Sequence, residues 1–146
     1  MSEHVPTALK RLVAARARNC CEYCRSREDH SAVSFSVEHV VPRVGGGATT
    51  LENLAFACQA CNNHKHAQTK ALDPLSRQWV PLFNPRRQRW PDHFKWNDDA
   101  SRVVGRTAIG RAAVMKLRLN RPGLIRQRNV MARAGQHPPP PFRQRS

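Results

Sequence analysis

Two Cys-x-x-Cys pairs constrain the fold of this chain more than any other feature of its sequence. Cys21 and Cys24 form the first pair, and Cys58 and Cys61 form the second. Each pair can present two thiolates from one tight turn, and four thiolates suit a tetrahedral zinc ion. The spacing therefore predicts a closed, structural zinc site that holds together the two ends of the segment between the pairs.

Two other ligand sets compete with this one. Cys20 directly precedes Cys21, so a Cys20-x-x-x-Cys24 turn is conceivable. We favour Cys21 because its spacing matches that of the second pair, and we interpret Cys20 as a small apolar side chain. His64 lies three residues after Cys61 and is a conceivable ligand, but four better-spaced cysteines are present.

The chain is strongly basic. It has 25 Lys and Arg against 10 Asp and Glu in 146 residues, which gives a formal net charge of +15. Charge of this size attracts polyanions, so nucleic acid is the expected partner. A membrane is not expected, since no apolar run approaches the ~18 residues needed to span a bilayer. An odd count of five cysteines without a secretory signal favours metal over disulfides.

The N-terminal segment predicts a helix from about Ala8 to Arg18, capped by Thr7. Its basic side, formed by Lys10, Arg11 and Arg18, can reach phosphate or remain solvated. A mitochondrial transit peptide is the alternative for this basic, acid-poor stretch, but a helix explains it better. The apolar side would pack on the zinc module and consists of Leu9, Leu12, Val13 and Ala17.

Between the cysteine pairs the pattern predicts a strand, a reversal and a second strand. Residues 32–41 alternate in a way typical of a strand, Pro42 ends it, and Gly45–Gly47 permit the chain to reverse. Residues 50–54 predict a helical turn or the entry to the second strand. A helix that carries Asn62 on its first turn follows the second cysteine pair, which completes a ββα unit.

The remainder of the chain predicts an extension on this module. We expect domain boundaries at 1–72 for the module with its preceding helix, 73–136 for the extension, and 137–146 for a disordered tail. Within the extension, residues 73–91 predict an irregular segment that wraps the core. The other predicted elements are a β-hairpin from 93–96 and 102–104 and helices at 109–120 and 124–134.

The order of these motifs resembles the HNH endonuclease family, whose fold is called ββα-metal. The stretches that carry the resemblance are CEYC, then EHVVPRVGGG, then NL, then CQACN. The C-terminal run also resembles an extension found on one bacterial branch of HNH proteins. The resemblance implies an α+β fold of the four-cysteine zinc subtype: a ββα-metal core, an N-terminal helix, and a C-terminal β-hairpin with helices.

The resemblance also implies a role for each candidate site residue. His39 would be the general base that deprotonates a water. Glu38 and Asn62 would bind one catalytic divalent cation, Mg²⁺ or Mn²⁺, since both offer oxygen ligands. As neighbours on a strand, Glu38 and His39 point to opposite faces unless the backbone is distorted there.

Three further residues have supporting roles by the same resemblance. Asn53 would bond to the backbone and brace the loop that carries the base. His64 and Lys65 would contact DNA phosphate, with a solvated helix face as the alternative.

The sequence leaves two main functions to weigh. The first is a metal-dependent endonuclease that nicks or cuts DNA in an intracellular, cytoplasmic setting of bacterial or phage type. The second is a zinc-stabilised DNA-binding module without cleavage activity. An RNA-binding translation factor would explain the charge and cysteines but leaves the Glu-His-Pro-Gly-Gly order unexplained. Cleavage specificity, oligomeric state and the role of the extension are not predicted.

Overall fold

A computed structural model describes residues 4–139 of the chain. These residues form two compact units, each described separately below. The first unit takes in the described residues up to Thr69 together with Asn84–Arg87, and the second takes in Lys70–Phe83 and the residues from Gln88 onward. The chain thus changes unit near the expected boundary at residue 72 and then returns briefly to the first unit. Residues 140–146 of the predicted tail lie outside the described residues.

Short helices and two-stranded sheets make up both units, which confirms the predicted α+β class. The helices are α1 (Thr7–Arg16), α2 (Gln59–Lys65), α3 (Trp90–His93), α4 (Ala108–Lys116) and α5 (Pro122–Arg133). The strands are β1 (Ser36–His39), β2 (Leu54–Ala57), β3 (Lys70–Leu72), β4 (Trp79–Pro81), β5 (Phe94–Trp96) and β6 (Val103–Gly105). No helix in this described range is long and apolar enough to cross a membrane.

The first unit contains the predicted ββα arrangement. Strands β1 and β2 are antiparallel, with His39 opposite Leu54, and α2 packs against β1. All four residues of β2 are buried, so this strand forms the centre of the small core. Helix α2 begins at Gln59, earlier than predicted, because the Cys58 Sγ caps it by accepting a hydrogen bond from the Cys61 N–H.

Helix α1 differs from its prediction at both ends. Its N-cap position is Pro6 and Thr7 is its first residue, so the predicted Thr7 cap is wrong. The helix ends at Arg16 and not at Arg18, because Arg18 and Asn19 both take positive φ, 54° and 58°. A right-handed helix cannot continue through that conformation.

Helix α1 is fastened to the β1–β2 hairpin. Val13 and Ala17 are fully buried, whereas Leu12 is 53% exposed, so the apolar side is narrower than predicted. At the last residue of the helix, the Arg16 guanidinium donates hydrogen bonds to the backbone carbonyls of Leu51 and Leu54, the first at 2.8 Å. These contacts fix the helix beside the start of β2.

The second unit contains a hairpin that the sequence did not predict. Strand β4 lies inside the segment predicted to be irregular, and it pairs with β3, which ends just before that segment. The predicted hairpin of β5 and β6 is confirmed, with Trp96 opposite Val103, and α4 packs on β6. The core is aromatic: Phe83 meets Phe94 edge to face, with ring centres 5.0 Å apart, and Trp90 lies beside Phe94. Trp79 is 69% exposed and takes no part in this core.

The two C-terminal helices are confirmed with shifted ends. Helix α4 stops at Lys116, four residues before the predicted end. Helix α5 starts at Pro122, which suits a first helical position because proline lacks an N–H. Gly135 follows α5 with a φ of 73°, the left-handed conformation that glycine adopts readily at a helix end.

Candidate functional site

The four predicted cysteine ligands come together in one buried cluster. Cys21, Cys24, Cys58 and Cys61 place their sulfur atoms within 4.8 Å of one another. The Sγ atoms of Cys24 and Cys58 are 3.7 Å apart. Zn–S bonds of ~2.3 Å in a tetrahedron put sulfurs about 3.8 Å apart, so the spacing fits a bound zinc ion.

The two cysteine turns have the same local geometry. The Cys24 N–H lies 3.4 Å from the Cys21 Sγ, and the Cys61 N–H lies 3.4 Å from the Cys58 Sγ. Cys20 is buried but lies outside the group of four, which agrees with its interpretation as an apolar side chain. Burial raises the pKa of the Cys21 thiol well above its usual range, so four thiolates here require a cation.

The two residues inside the first cysteine turn also face inward. Glu22 accepts hydrogen bonds from the Phe56 N–H and from the Arg86 guanidinium, which ties the turn to β2. Tyr23 is fully buried, and its hydroxyl donates to the Glu38 carboxylate on β1. The first cysteine turn is therefore linked by direct hydrogen bonds to both strands of the hairpin that carries the candidate site.

His39 is the last residue of β1 and is half-buried. Its Nε2 lies 2.8 Å from the hydroxyl oxygen of Thr49, and the Arg43 guanidinium donates to the same hydroxyl at 2.8 Å. Thr49 thus fixes the orientation of the imidazole. Strand β1 ends here because Pro42 follows shortly and cannot donate a backbone hydrogen bond.

The Asn53 side chain makes three hydrogen bonds to the backbone. It accepts from the Val41 N–H and donates to the carbonyls of Val41 and Ala48, each at 2.9 Å. The loop packs so closely here that a Cβ on Gly47 would lie 1.7 Å from the Val41 carbonyl oxygen. Asn53 and Gly47 together hold the loop that follows His39.

Glu38 lies under the site with most of its surface covered. It is 7% exposed, its Oε1 is 3.0 Å from the Lys65 ammonium, and its Oε2 accepts from Tyr23. Burial raises the pKa of the Glu38 carboxyl above its usual range, although the Lys65 charge acts in the opposite direction.

Lys65 takes a different place from the one predicted. It is 1% exposed, and besides Glu38 its ammonium donates to the backbone carbonyls of Val40 at 2.9 Å and His39 at 3.4 Å. The predicted phosphate contact is corrected to an internal ion pair, because the ammonium has no exposed surface to offer. The cause is helical spacing: Lys65 lies four residues after Cys61, on the face of α2 that points inward.

A cleft of about 1010 Å³ brings the candidate residues of the first unit together. His39 and Glu38 line it from β1, and Asn62 lines it from α2. His66, which directly follows the last residue of α2, lines it as well, whereas the half-buried His64 is not part of its wall. Helix α1 forms another part of its lining.

The residues around this cleft fit an oxygen-preferring divalent cation. Glu38 and Asn62 offer a carboxylate and an amide oxygen at one cleft, the ligand types that Mg²⁺ and Mn²⁺ prefer. A carboxylate has about four lone-pair sites, and Tyr23 and Lys65 occupy one on each oxygen. The carboxylate therefore keeps acceptor capacity for a cation.

Sequence reasoning missed three residues of the site. Tyr23 supports Glu38, Thr49 orients His39, and His66 lines the cleft. A signal existed for His66 alone, since it lies one helical turn after Asn62 in the sequence. The other two contacts join residues 15 and 10 positions apart through the folded loops, and no local pattern marks them.

Comparison with known families agrees with this geometry. Residues 21–68 match the family model described as HNH endonuclease. The matched segment runs from the first cysteine ligand to just beyond α2, so it contains the four cysteines and the β1, β2 and α2 elements. No curated protein matches the chain.

Proposed function

We propose that this chain, whose residues 21–68 form an HNH domain, is a metal-dependent endonuclease that hydrolyses DNA phosphodiester bonds. The single observation that carries the proposal is the cleft that His39, Glu38 and Asn62 line together. The net charge of +15 supports a polyanionic substrate. We also propose the intracellular setting of bacterial or phage type that the sequence resemblance implies.

His39 would serve as the general base. A neutral imidazole accepts a proton near cellular pH, and hydrolysis requires a water that loses its proton as it attacks phosphorus. Thr49 keeps the ring oriented toward the cleft, and Asn53 keeps the supporting loop in place. Glu38 and Asn62 would hold Mg²⁺ or Mn²⁺, which supplies charge neutralisation at the phosphate and the leaving oxygen.

The cysteine cluster would have no part in the chemistry. Structural sites with four cysteines are closed, because all four positions around the zinc are taken by protein. Zinc would hold the first cysteine turn, and that turn carries Tyr23 to Glu38.

A DNA-binding module without cleavage activity is the second candidate. The ion pair between Glu38 and Lys65 favours it, since a buried pair gives the carboxylate a structural use that needs no cation. A pure binder, however, has no need for an imidazole oriented at the wall of a cleft.

Relaxation of a supercoiled plasmid in Mg²⁺ or Mn²⁺ separates the two candidates. We expect the wild type and the control variant His4→Ala, an exposed histidine outside the cleft lining, to relax the plasmid. His39→Ala should lose about 10²- to 10⁴-fold of the rate while it keeps its zinc and its affinity for DNA. Equal cutting by His39→Ala would indicate a contaminating nuclease. A wild type that binds DNA but fails to cut it with either divalent ion would favour the binding module.

A further inference from the structure

Helix α1 lies outside the segment that matches the HNH family, yet it lines the same cleft. Its contributions are Thr7, Lys10, Arg11 and Ala14, which are spaced three or four residues apart and so share one face of the helix. His39 and Asn62 line the cleft from β1 and α2. The candidate site therefore has a wall that the family motif does not supply.

This wall is held firmly in place. Val13 is fully buried against the hairpin, and Arg16 donates to the carbonyl of Leu51 at 2.8 Å. The side chains of α1 that line the cleft consequently project from a fixed backbone. Of these, Lys10 and Arg11 are both exposed.

The charges on this wall are not neutralised within the described residues. Neither Lys10 nor Arg11 belongs to any ion pair found in residues 4–139. The two acidic residues that line the cleft are already engaged: Glu38 pairs with Lys65, and Glu28 accepts from the Phe35 N–H at 2.9 Å. Two adjacent cations that face a cleft attract a phosphate backbone.

We propose that Lys10 and Arg11 bind phosphates of the DNA strand that lies in the cleft, so that α1 forms the second wall of the DNA site. This inference rests on the proposed function for its substrate. The contacts would be independent of base sequence, since ammonium and guanidinium groups contact phosphates without reading bases. They would hold the strand in the cleft that His39 and Asn62 also line.

The test measures DNA affinity in the full chain without cleavage. In a His39→Ala background with no added Mg²⁺ or Mn²⁺, and without a chelator that would remove the structural zinc, fluorescence anisotropy gives the Kd of a duplex over a range of salt concentrations. We expect Lys10→Ala with Arg11→Ala to weaken binding on the order of tenfold or more at physiological salt. The slope of log K against log salt should fall by about two, since each phosphate contact contributes ~0.9.

A matched control removes two charges of the same sign elsewhere in the first unit. Arg18 and Arg87 are exposed and do not line the cleft, so Arg18→Ala with Arg87→Ala should leave the salt slope nearly unchanged. The exchange Lys10→Arg with Arg11→Lys should retain binding. Circular dichroism confirms that each variant is folded.

Three outcomes overturn the inference: equal loss in the two double variants, an unchanged salt slope in the Lys10 and Arg11 variant, or no DNA binding by the parent protein. Failure of the proposed function gives a different result. A parent protein that binds through Lys10 and Arg11 but never cuts would retain this DNA wall and refute only the nuclease activity.

Discussion

Two buried carboxylates, Glu38 in the first unit and Asp73 in the second, have very different surroundings. Asp73 in the second unit is fully buried and accepts five hydrogen bonds. Two of them come from the Arg111 guanidinium, both at 2.9 Å, and the others come from Leu75 and Ser76. Glu38 in the first unit has two donors, Tyr23 and Lys65, and lies at the wall of a cleft.

Their pKa values move in opposite directions for that reason. The hydrogen bonds from Arg111 hold the pKa of Asp73 well below its usual range, whereas burial raises the pKa of Glu38. A carboxylate whose lone pairs are all taken can only support the fold. One that keeps lone pairs beside a cleft can also accept a ligand, which is the property a cation site needs.

The largest difference between the two units is expected when the zinc is lost. We expect Cys58→Ala to lose the metal and unfold the first unit, a cost on the order of 10 kcal/mol by comparison with small zinc domains. The three tryptophans all lie in the second unit, so their fluorescence reports on Asp73 and its surroundings and should change far less. Zinc content by mass spectrometry and far-UV circular dichroism complete the measurement.

Cys20→Ala is the matched control, since Cys20 is equally buried but lies outside the cluster. It should keep its zinc and its fold. Normal melting of Cys58→Ala would refute the zinc assignment.

The next largest effect is expected from Glu38→Gln. The change leaves the buried Lys65 ammonium without its counter-charge, which should cost about 3–5 kcal/mol of the free energy of unfolding. Hydrogen exchange of the β1 amides in urea measures it. Glu52→Gln, at an exposed glutamate, should cost less than ~0.5 kcal/mol. Adding Lys65→Met to Glu38→Gln should recover part of the loss, and no recovery would show that the pair is not coupled.

Asp73 should make the second unit sensitive to acid. Because its folded pKa lies below the unfolded value of ~3.9, its contribution to stability is present above that pH and is lost as the pH falls below it. Urea midpoints followed by tryptophan fluorescence should therefore drop below about pH 4. Asp73→Asn should lower the midpoint at pH 7 and remove this part of the pH dependence. Asp98→Asn, at an exposed aspartate, should leave the profile as it is in the wild type.

The smallest effects test the number of donors directly. Tyr23→Phe removes one of two donors to Glu38 and should cost about 2 kcal/mol, as expected for a hydrogen bond to a charged group. Ser76→Ala removes one hydroxyl donor from Asp73, where four donors remain, so we expect a smaller loss. Denaturant titrations of both variants compare them. An equal loss of unfolding free energy in the two variants would show that a single donor matters as much to Asp73 as to Glu38.

The sequence predicts the four-cysteine cluster and the ββα unit well because both depend on short-range rules. The Cys-x-x-Cys spacing fixes each turn by itself, and alternation followed by proline and glycine marks a strand and its reversal. Asn53 could be placed for the same reason, since its partners lie within twelve residues.

Contacts between residues that only the folded chain brings together are harder to predict from the sequence. The burial of Lys65 could have been anticipated, because Cys61 must face inward and Lys65 follows it by one helical turn. The β3–β4 hairpin was missed because its short strands carry Pro81 and an exposed Trp79, which mask the strand pattern. The partnership of Glu22 with Arg86 spans 64 residues, and no local pattern indicates it.

That partnership has a consequence for the HNH domain as a transferable part. The chain leaves the first unit at Thr69 and comes back at Asn84–Arg87, where Arg86 neutralises Glu22, which lies between Cys21 and Cys24. A fragment that ends at residue 72 would retain every residue of the HNH motif, yet the buried Glu22 carboxylate would lose its ion pair with Arg86. In this protein the segment that matches the HNH family is therefore shorter than the segment that would have to be transferred for the domain to keep its internal contacts.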